Sequence, residues 1–275
     1  MIAAGKLLFE RKPRKSSSDP VDAEHSADFK DDFSANPVQS ARKTMFEVIR
    51  EETFRDASLP NNTVPRRAFT NETLEGWEKG TMLSDEDRLV LGRLYRDASS
   101  VIEFGLGEST KIAAYVGVPR YVGVDSDAAW ISTARAESRM DHFRFFFADI
   151  GKTRQVGHPV DNRLKKIPYD YQIMPLVGET EAFDVYVIDG RYRIACACVS
   201  LLHALSCNGD MEKIRFAFHD YSRQMYHAFE AVADVVIRTP PTPQNSGALG
   251  VLKAKRNVTE EEIYKLWEAN RWENW

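Results

Sequence analysis

From Val101 onward the chain alternates short apolar runs with amphipathic stretches, and this constrains the fold more than any other feature. The runs Val101 to Phe104, Tyr121 to Val124, Phe143 to Phe147, Phe183 to Ile188 and Ile214 to Phe218 have the length and composition of strands. Between them lie helix signals. Ser109 opens a stretch with Ile112, Ala113 and Val116 on one face, stopped by Gly117 and Pro119. Asp127 to Glu137 carries Trp130, Ile131 and Ala134, and Arg191 to Leu205 carries Ile194, Cys198, Leu201, Leu202 and Leu205. Met225, Ala228, Phe229 and Val232 mark a further helix. Strands alternating with helices predict an α/β fold, a doubly wound and mostly parallel sheet covered on both faces. Val235 to Ile237 and Ala248 to Lys253, separated by a proline-rich turn, bring the strands to seven. Thr259 and Glu262 have capping-box spacing before Ile263, Leu266 and Trp267, which predicts a C-terminal helix.

Ahead of this pattern the chain reads as an N-terminal helical extension. Residues 1–40 read as an arm, 41–82 as helix and loop, 83–256 as the α/β domain, and 257–275 as the C-terminal helix and tail. Thr44 to Phe54 has the spacing of a short amphipathic helix, Asn61 to Arg67 is loop, and Ser84 with Asp87 caps a stronger helix through Tyr95. Residues 151–181, with Pro159, Pro168 and Pro175, read as an irregular insertion. No apolar run reaches the ~18–20 residues of a membrane span, which points to a cytoplasmic chain; the alternative is mitochondrial, if the basic, serine-containing residues 1–18 act as a transit peptide. A net charge of −4 does not suggest a protein that holds nucleic acid by bulk charge. The three cysteines, between Cys196 and Cys207, read as free thiols. Cys196 and Cys207 lie ~16 Å apart along a helix, too far to share a zinc ion.

The polar residues fall in one structural place. Gly105 and Gly107, Asp125, Asp149, Asp189 and Asp220 all follow the ends of strands, the edge where open parallel sheets bind ligands. Any one of these acids alone reads as a loop residue or a helix cap; five at one edge point to a site. Glycines at 105 and 107 let the backbone turn tightly against a ligand, and Asp125 stands where a carboxylate can accept both ribose hydroxyls. The third glycine of a dinucleotide fingerprint falls at Thr110, so that motif is incomplete. Glu103 sits inside the first strand, where a buried acid is costly without partners.

The segment Glu103-Phe104-Gly105-Leu106-Gly107-Glu108-Ser109-Thr110 resembles motif I of the class I S-adenosylmethionine-dependent methyltransferases, a Rossmann-like fold. The resemblance implies S-adenosylmethionine as cofactor, with Glu103, Gly105, Gly107, Ser109 and Thr110 around its methionine part, Asp125 at the ribose and Asp149 near the adenine. It extends from about Leu83 to Lys255 and is similar to a subgroup with Asp189-Gly190-Arg191-Tyr192-Arg193 and His219-Asp220-Tyr221 segments. The paired late strands fit the family's antiparallel hairpin.

The implied reaction is in-line methyl transfer to a nucleophile, for which the protein positions the reactants and, where needed, removes a proton. Asp189 and His219 end adjacent strands, and His219, with an ordinary pKa of ~6.5, is the natural base; the plain alternative is a structural histidine. Arg191 and Arg193 can hold an anionic substrate, or pair with acids at a helix end. Asp220 can cap the following helix. No metal is expected: Asp189 and Asp220 match two acids of the magnesium-dependent catechol-type enzymes, but His219 suits a hard cation poorly. Arg163, Lys165 and Lys166 read as a solvated loop, and Trp267, Trp272 and Trp275 as either a docking surface or a tail packed on its own domain. The leading expectation is a methyltransferase acting on a small or anionic acceptor. An inactive methyltransferase-like protein serving as an assembly partner, through the arm or the Trp-rich tail or by self-association, is the alternative. A nicotinamide-dependent oxidoreductase is the third.

Overall fold

The computed structural model describes residues 65–153, 159–160, 168–242 and 247–273. The helix expected over Thr44 to Phe54, the cluster Arg163, Lys165 and Lys166, and Trp275 lie outside them. Among the described residues two helices come first, α1 (Asn71–Glu75) and α2 (Asp85–Asp97). Then β1 (Ser100–Phe104), α3 (Glu108–Val116), β2 (Arg120–Asp125), α4 (Ala128–Ser138) and β3 (Arg144–Phe147) follow in strict alternation. After them come α5 (Pro168–Val177), β4 (Val185–Ile188), α6 (Arg193–Ser206) and β5 (Arg215–His219). A 3₁₀ helix (Gln224–Ala231), β6 (Ala233–Arg238), β7 (Leu249–Ala254) and α7 (Glu260–Asn270) complete the chain.

The seven strands form one sheet in the order β3-β2-β1-β4-β5-β7-β6. The first five are parallel, and β7 runs antiparallel between β5 and β6. Alternate residues of the central strands serve opposite faces, as a sheet covered on both sides requires. Ile102, Phe104, Tyr186, Ile188, Phe216 and Phe218 face the layer of α5, α6 and α7. Val101, Val185, Val187 and Ala217 face α2 and α3. Glu103 therefore falls on the α3 side, beside Gly123 of β2 and Val187 of β4.

Helix ends follow the expected chemistry. Ser84 and Asp87 form a reciprocal capping box on α2, Thr259 and Glu262 another on α7, and Gly117 ends α3 in the left-handed region at φ 81°. The guanidinium of Arg66 takes the carbonyls of Tyr95, Arg96 and Ala98 at the end of α2, tying the extension to the domain.

Three local readings need correction. The insertion contains α5, despite its prolines: Pro168 is its first residue, where no N–H is needed, and Pro175 lies in its last turns. The segment after β5 is 3₁₀ rather than α, because Tyr226, Phe229 and Val232 bury an every-third-residue stripe. A short helix, α1, had no counterpart in the sequence pattern.

The tail packs on its own domain: the Trp267 indole donates to Gln172 Oε1 at 3.0 Å, and Gln172 donates to the Arg271 carbonyl at 2.9 Å. Arg271 in turn covers the rings of Trp267 and Trp272. Among the described residues no helix is long and apolar enough to cross a membrane.

Candidate functional site

The glycine loop after β1 is built from beneath by Glu103. Its carboxylate is fully buried and accepts from the hydroxyls of Ser109, Thr110 and Tyr121. Burial raises its pKa from 4.5 to about 7, against the three hydroxyl donors, which lower it. Glu103 and Thr110 thus sit under the loop, where they hold its shape rather than face a ligand.

Above them the loop passes close to β4. Gly105 adopts φ +89°, and a Cβ there would lie 2.4 Å from the Gly190 nitrogen, so no other residue fits without displacing backbone. The loop's N–H groups are already used. Gly105 donates to Val124 O at 2.9 Å, Leu106 to Asp125 Oδ2 at 2.9 Å, and Gly107 to Thr110 Oγ1 at 3.2 Å. Asp125 also accepts from Asp127 N at 2.9 Å. Burial pushes its pKa up, with these backbone donors opposing.

A cavity of about 430 Å³ opens over this edge. Its walls are the glycine loop, the ends of β2, β4 and β5, one face of α4, and a strap of residues 80–83 from the N-terminal extension. Gly105, Gly107, Ser109, Asp125, Asp189, Arg191 and Arg193 line it. Asp149 does not: it is exposed and accepts from Gly151 N at 2.8 Å.

The strap is fastened at two points. Arg88 donates from Nε and Nη2 to the two carboxylate oxygens of Glu108, at 2.6 and 2.9 Å, and from Nη2 to the Gly80 carbonyl at 2.7 Å. Trp77 adds an indole N–H to Glu108 at 2.8 Å. The second point is His219, which is 3% exposed. Its Nδ1 faces Asp189 Oδ1 and its Nε2 faces the Met82 carbonyl, both at 2.9 Å.

Two acceptors require two N–H groups, so His219 is an imidazolium. Burial alone would lower its pKa, but the charge and hydrogen bond of Asp189 outweigh it and raise the value to about 9. The expectation that His219 acts as a general base is therefore corrected: it has no lone pair to offer and serves as a latch. Asp189 follows the same logic. Burial would raise its pKa, but His219 and Arg193 hold it well below the usual carboxylate range.

Asp189, His219 and Asp220 bring potential metal-ligand atoms within 4.8 Å of one another. Arg193 occupies this cluster. Its Nη2 lies 3.1 Å from Asp189 Oδ1 and 3.2 Å from Asp220 Oδ2, so the guanidinium is the cation shared by the two acids. Its Nε donates to Gly190 O at 3.0 Å and its Nη1 to His219 O at 2.5 Å, and it lies over the Tyr226 ring. The expected substrate contact through Arg193 thus gives way to a structural one, since four of its five N–H groups meet protein acceptors. Asp220 pairs with Arg193 and Arg223 instead of capping the next helix.

Sequence reasoning missed several residues of the cavity. Arg223 lines it with a side chain 47% exposed, Tyr171 reaches it from α5, and Trp130 of α4 presents an indole 49% exposed. Trp130 was visible only as part of an apolar face, and Tyr171 lay in the segment read as irregular. Arg223 carried no sequence signal.

A seven-stranded sheet with an antiparallel β7 inserted beside β5, and its glycine loop and acid at the ends of β1 and β2, is the class I methyltransferase fold. The chain is similar to a methyltransferase-like protein from Silicibacter pomeroyi, with TM-score 0.54, 19% identity, and coverage of 71% of this chain and 100% of that one. An N-methyltransferase, NodS, from Bradyrhizobium japonicum aligns at 14% identity and TM-score 0.37, over 62% of this chain and 96% of that one. An rRNA methylase from Streptococcus thermophilus aligns at 12% identity and TM-score 0.35, over 64% and 99%. No protein-family model and no curated protein matches the chain.

Proposed function

We propose that the protein binds S-adenosylmethionine and transfers its methyl group to a small anionic acceptor. The observation that carries this reading is the saturated glycine loop. In a dinucleotide site, loop N–H groups and the following helix N-terminus receive a pyrophosphate. Here the N–H groups of residues 105–107 donate to protein acceptors, and an acid, Glu108, stands at the first position of α3. That arrangement suits a ligand without phosphates and disfavours the nicotinamide alternative.

The residues fit the cofactor. The cavity falls in the ~300–1,000 Å³ range of small-molecule sites, and both oxygens of Asp125 keep lone pairs for ribose hydroxyls. Gly107 has open space where a Cβ would stand, so the backbone can approach a ligand closely. Ser109 and Gly105 complete that wall. Trp130 offers a flat apolar surface beside Asp125 for an adenine. The sulfonium supplies an already activated methyl group, so the protein's part is to orient and to exclude water. The strap of residues 80–83 contributes to that exclusion. The acceptor belongs at the β4 and β5 ends, where Arg191 and Arg223 face the cavity.

Calorimetric titration with S-adenosylmethionine and with its demethylated product tests this reading. Binding of both, abolished by Asp125→Ala with the fold intact by circular dichroism, is the expected result. Absence of binding to either ligand would transfer the weight to a methyltransferase-like assembly partner.

A further inference from the structure

We infer that the methyl acceptor carries an apolar body and that Met82, on the strap, is the residue that selects for it. This rests on the function proposed above and names the part of the acceptor that meets the strap. Among the described residues Met82 is the most exposed large apolar side chain, at 57%, and of the exposed ones only Met82 and Trp130 line the cavity. They stand at different ends of it. Trp130 is on α4, which follows β2 and Asp125. The Met82 carbonyl accepts from His219 Nε2, while Nδ1 of the same ring faces Asp189 Oδ1. One imidazole therefore separates Met82 from the end of β4, where the acceptor belongs.

The second observation is that the backbone carrying this exposed side chain is held on both sides. Before it, the Gly80 carbonyl accepts from Arg88 Nη2 at 2.7 Å. After it, Leu83 is buried in the core and Ser84 exchanges hydrogen bonds with Asp87 at the start of α2. Met82 cannot turn its side chain inward without breaking these contacts. An apolar side chain kept in water on a fixed backbone costs free energy that a ligand recovers by covering it. The thioether is unbranched and polarizable, so it moulds to an aliphatic chain and also makes favourable contact with the edge of an aromatic ring. The walls that receive the cofactor, Gly105, Gly107 and Asp125, lie on other segments, so removal of the Met82 side chain separates acceptor binding from cofactor binding.

The test uses the full chain saturated with the demethylated cofactor and titrated with anions that share a head and differ in their body. One series is acetate, hexanoate and phenylacetate; the other is methyl phosphate and phenyl phosphate. In at least one series the apolar body should tighten binding about tenfold, the scale of covering one such side chain. Met82→Ala, at an exposed position that does not threaten folding, should remove most of that gain and leave acetate and methyl phosphate unchanged. Met82→Leu, which keeps apolar volume, should restore it. A gain with hexanoate assigns an aliphatic body, and a gain with phenylacetate or phenyl phosphate an aromatic one. Absence of binding by all these anions, no gain from the apolar body, a gain that survives Met82→Ala, or a weakening of the demethylated cofactor itself by Met82→Ala would overturn the inference and leave the cofactor reading standing. Failure of the native protein to bind the demethylated cofactor would remove both.

Discussion

Two clusters flanking the cavity, one around Glu103 and one around Arg193, solve the problem of buried charge in opposite ways. Beneath the glycine loop the carboxylate of Glu103 is surrounded by three neutral hydroxyls, and its pKa rises to about 7. At the β4 and β5 end the acids Asp189 and Asp220 are bridged by Arg193, and Asp189 also binds the imidazolium of His219. Hydroxyls satisfy the lone pairs of a buried carboxylate without adding charge. The second cluster instead balances its acids with cations. Polar composition alone does not distinguish the two; the sign of the neighbours does.

The largest effect that would break this contrast is loss of the bridging guanidinium. Arg193→Ala removes the guanidinium shared by the two acids and leaves Asp189 to His219 and Asp220 to Arg223, and removal of one partner from a buried ion pair costs as much as about 3–5 kcal/mol. Chemical denaturation should show that loss, and Arg193→Ala combined with Asp189→Asn and Asp220→Asn should recover part of it.

The next effect is a pH dependence of the strap. His219 has a folded pKa of about 9 against 6.5 when unperturbed, so its contribution is fully present below pH 6.5 and is lost as pH rises through 9. The loss is on the order of 3 kcal/mol. Denaturation between pH 6 and 10 should show it in the native protein and not in His219→Gln, and hydrogen exchange at residues 80–83 should rise over the same window.

Glu103→Gln should have the smallest net effect, because relief of a buried charge is offset by hydroxyls left facing an amide. Its sign is distinctive. The folded protein keeps the Glu103 proton up to about pH 7 while the unfolded chain loses it near 4.5, so this group lowers stability as pH rises from 4.5 to 7. Glu103→Gln should flatten that slope while the strap's window above pH 6.5 stays unchanged.

The contrast also shows what a sequence can carry. Strand ends were legible because apolar runs stop at glycines and acids, and the partners of Glu103 were foreshadowed by the cost of burying it. Two of them, Ser109 and Thr110, lie in the same motif. The second end was only half legible. Asp189, Arg191, Arg193, His219 and Asp220 stood out as chemistry, yet their roles depend on contacts between distant segments. His219 reads as a base until the Met82 carbonyl, 137 residues away in sequence, takes its second nitrogen. Arg193 reads as a substrate contact until two acids and two carbonyls take four of its five donors. The helix α5 was hidden because prolines report only what they forbid in the middle of a helix, and here one of them opens it.

The most direct test of the central claim is a paired titration of the native protein with the demethylated cofactor and with oxidised nicotinamide adenine dinucleotide under identical conditions. A glycine loop whose N–H groups are already spent predicts saturable binding of the first and none of the second. Equal or tighter binding of the dinucleotide would contradict the account, because it would require those same N–H groups to be open to phosphate.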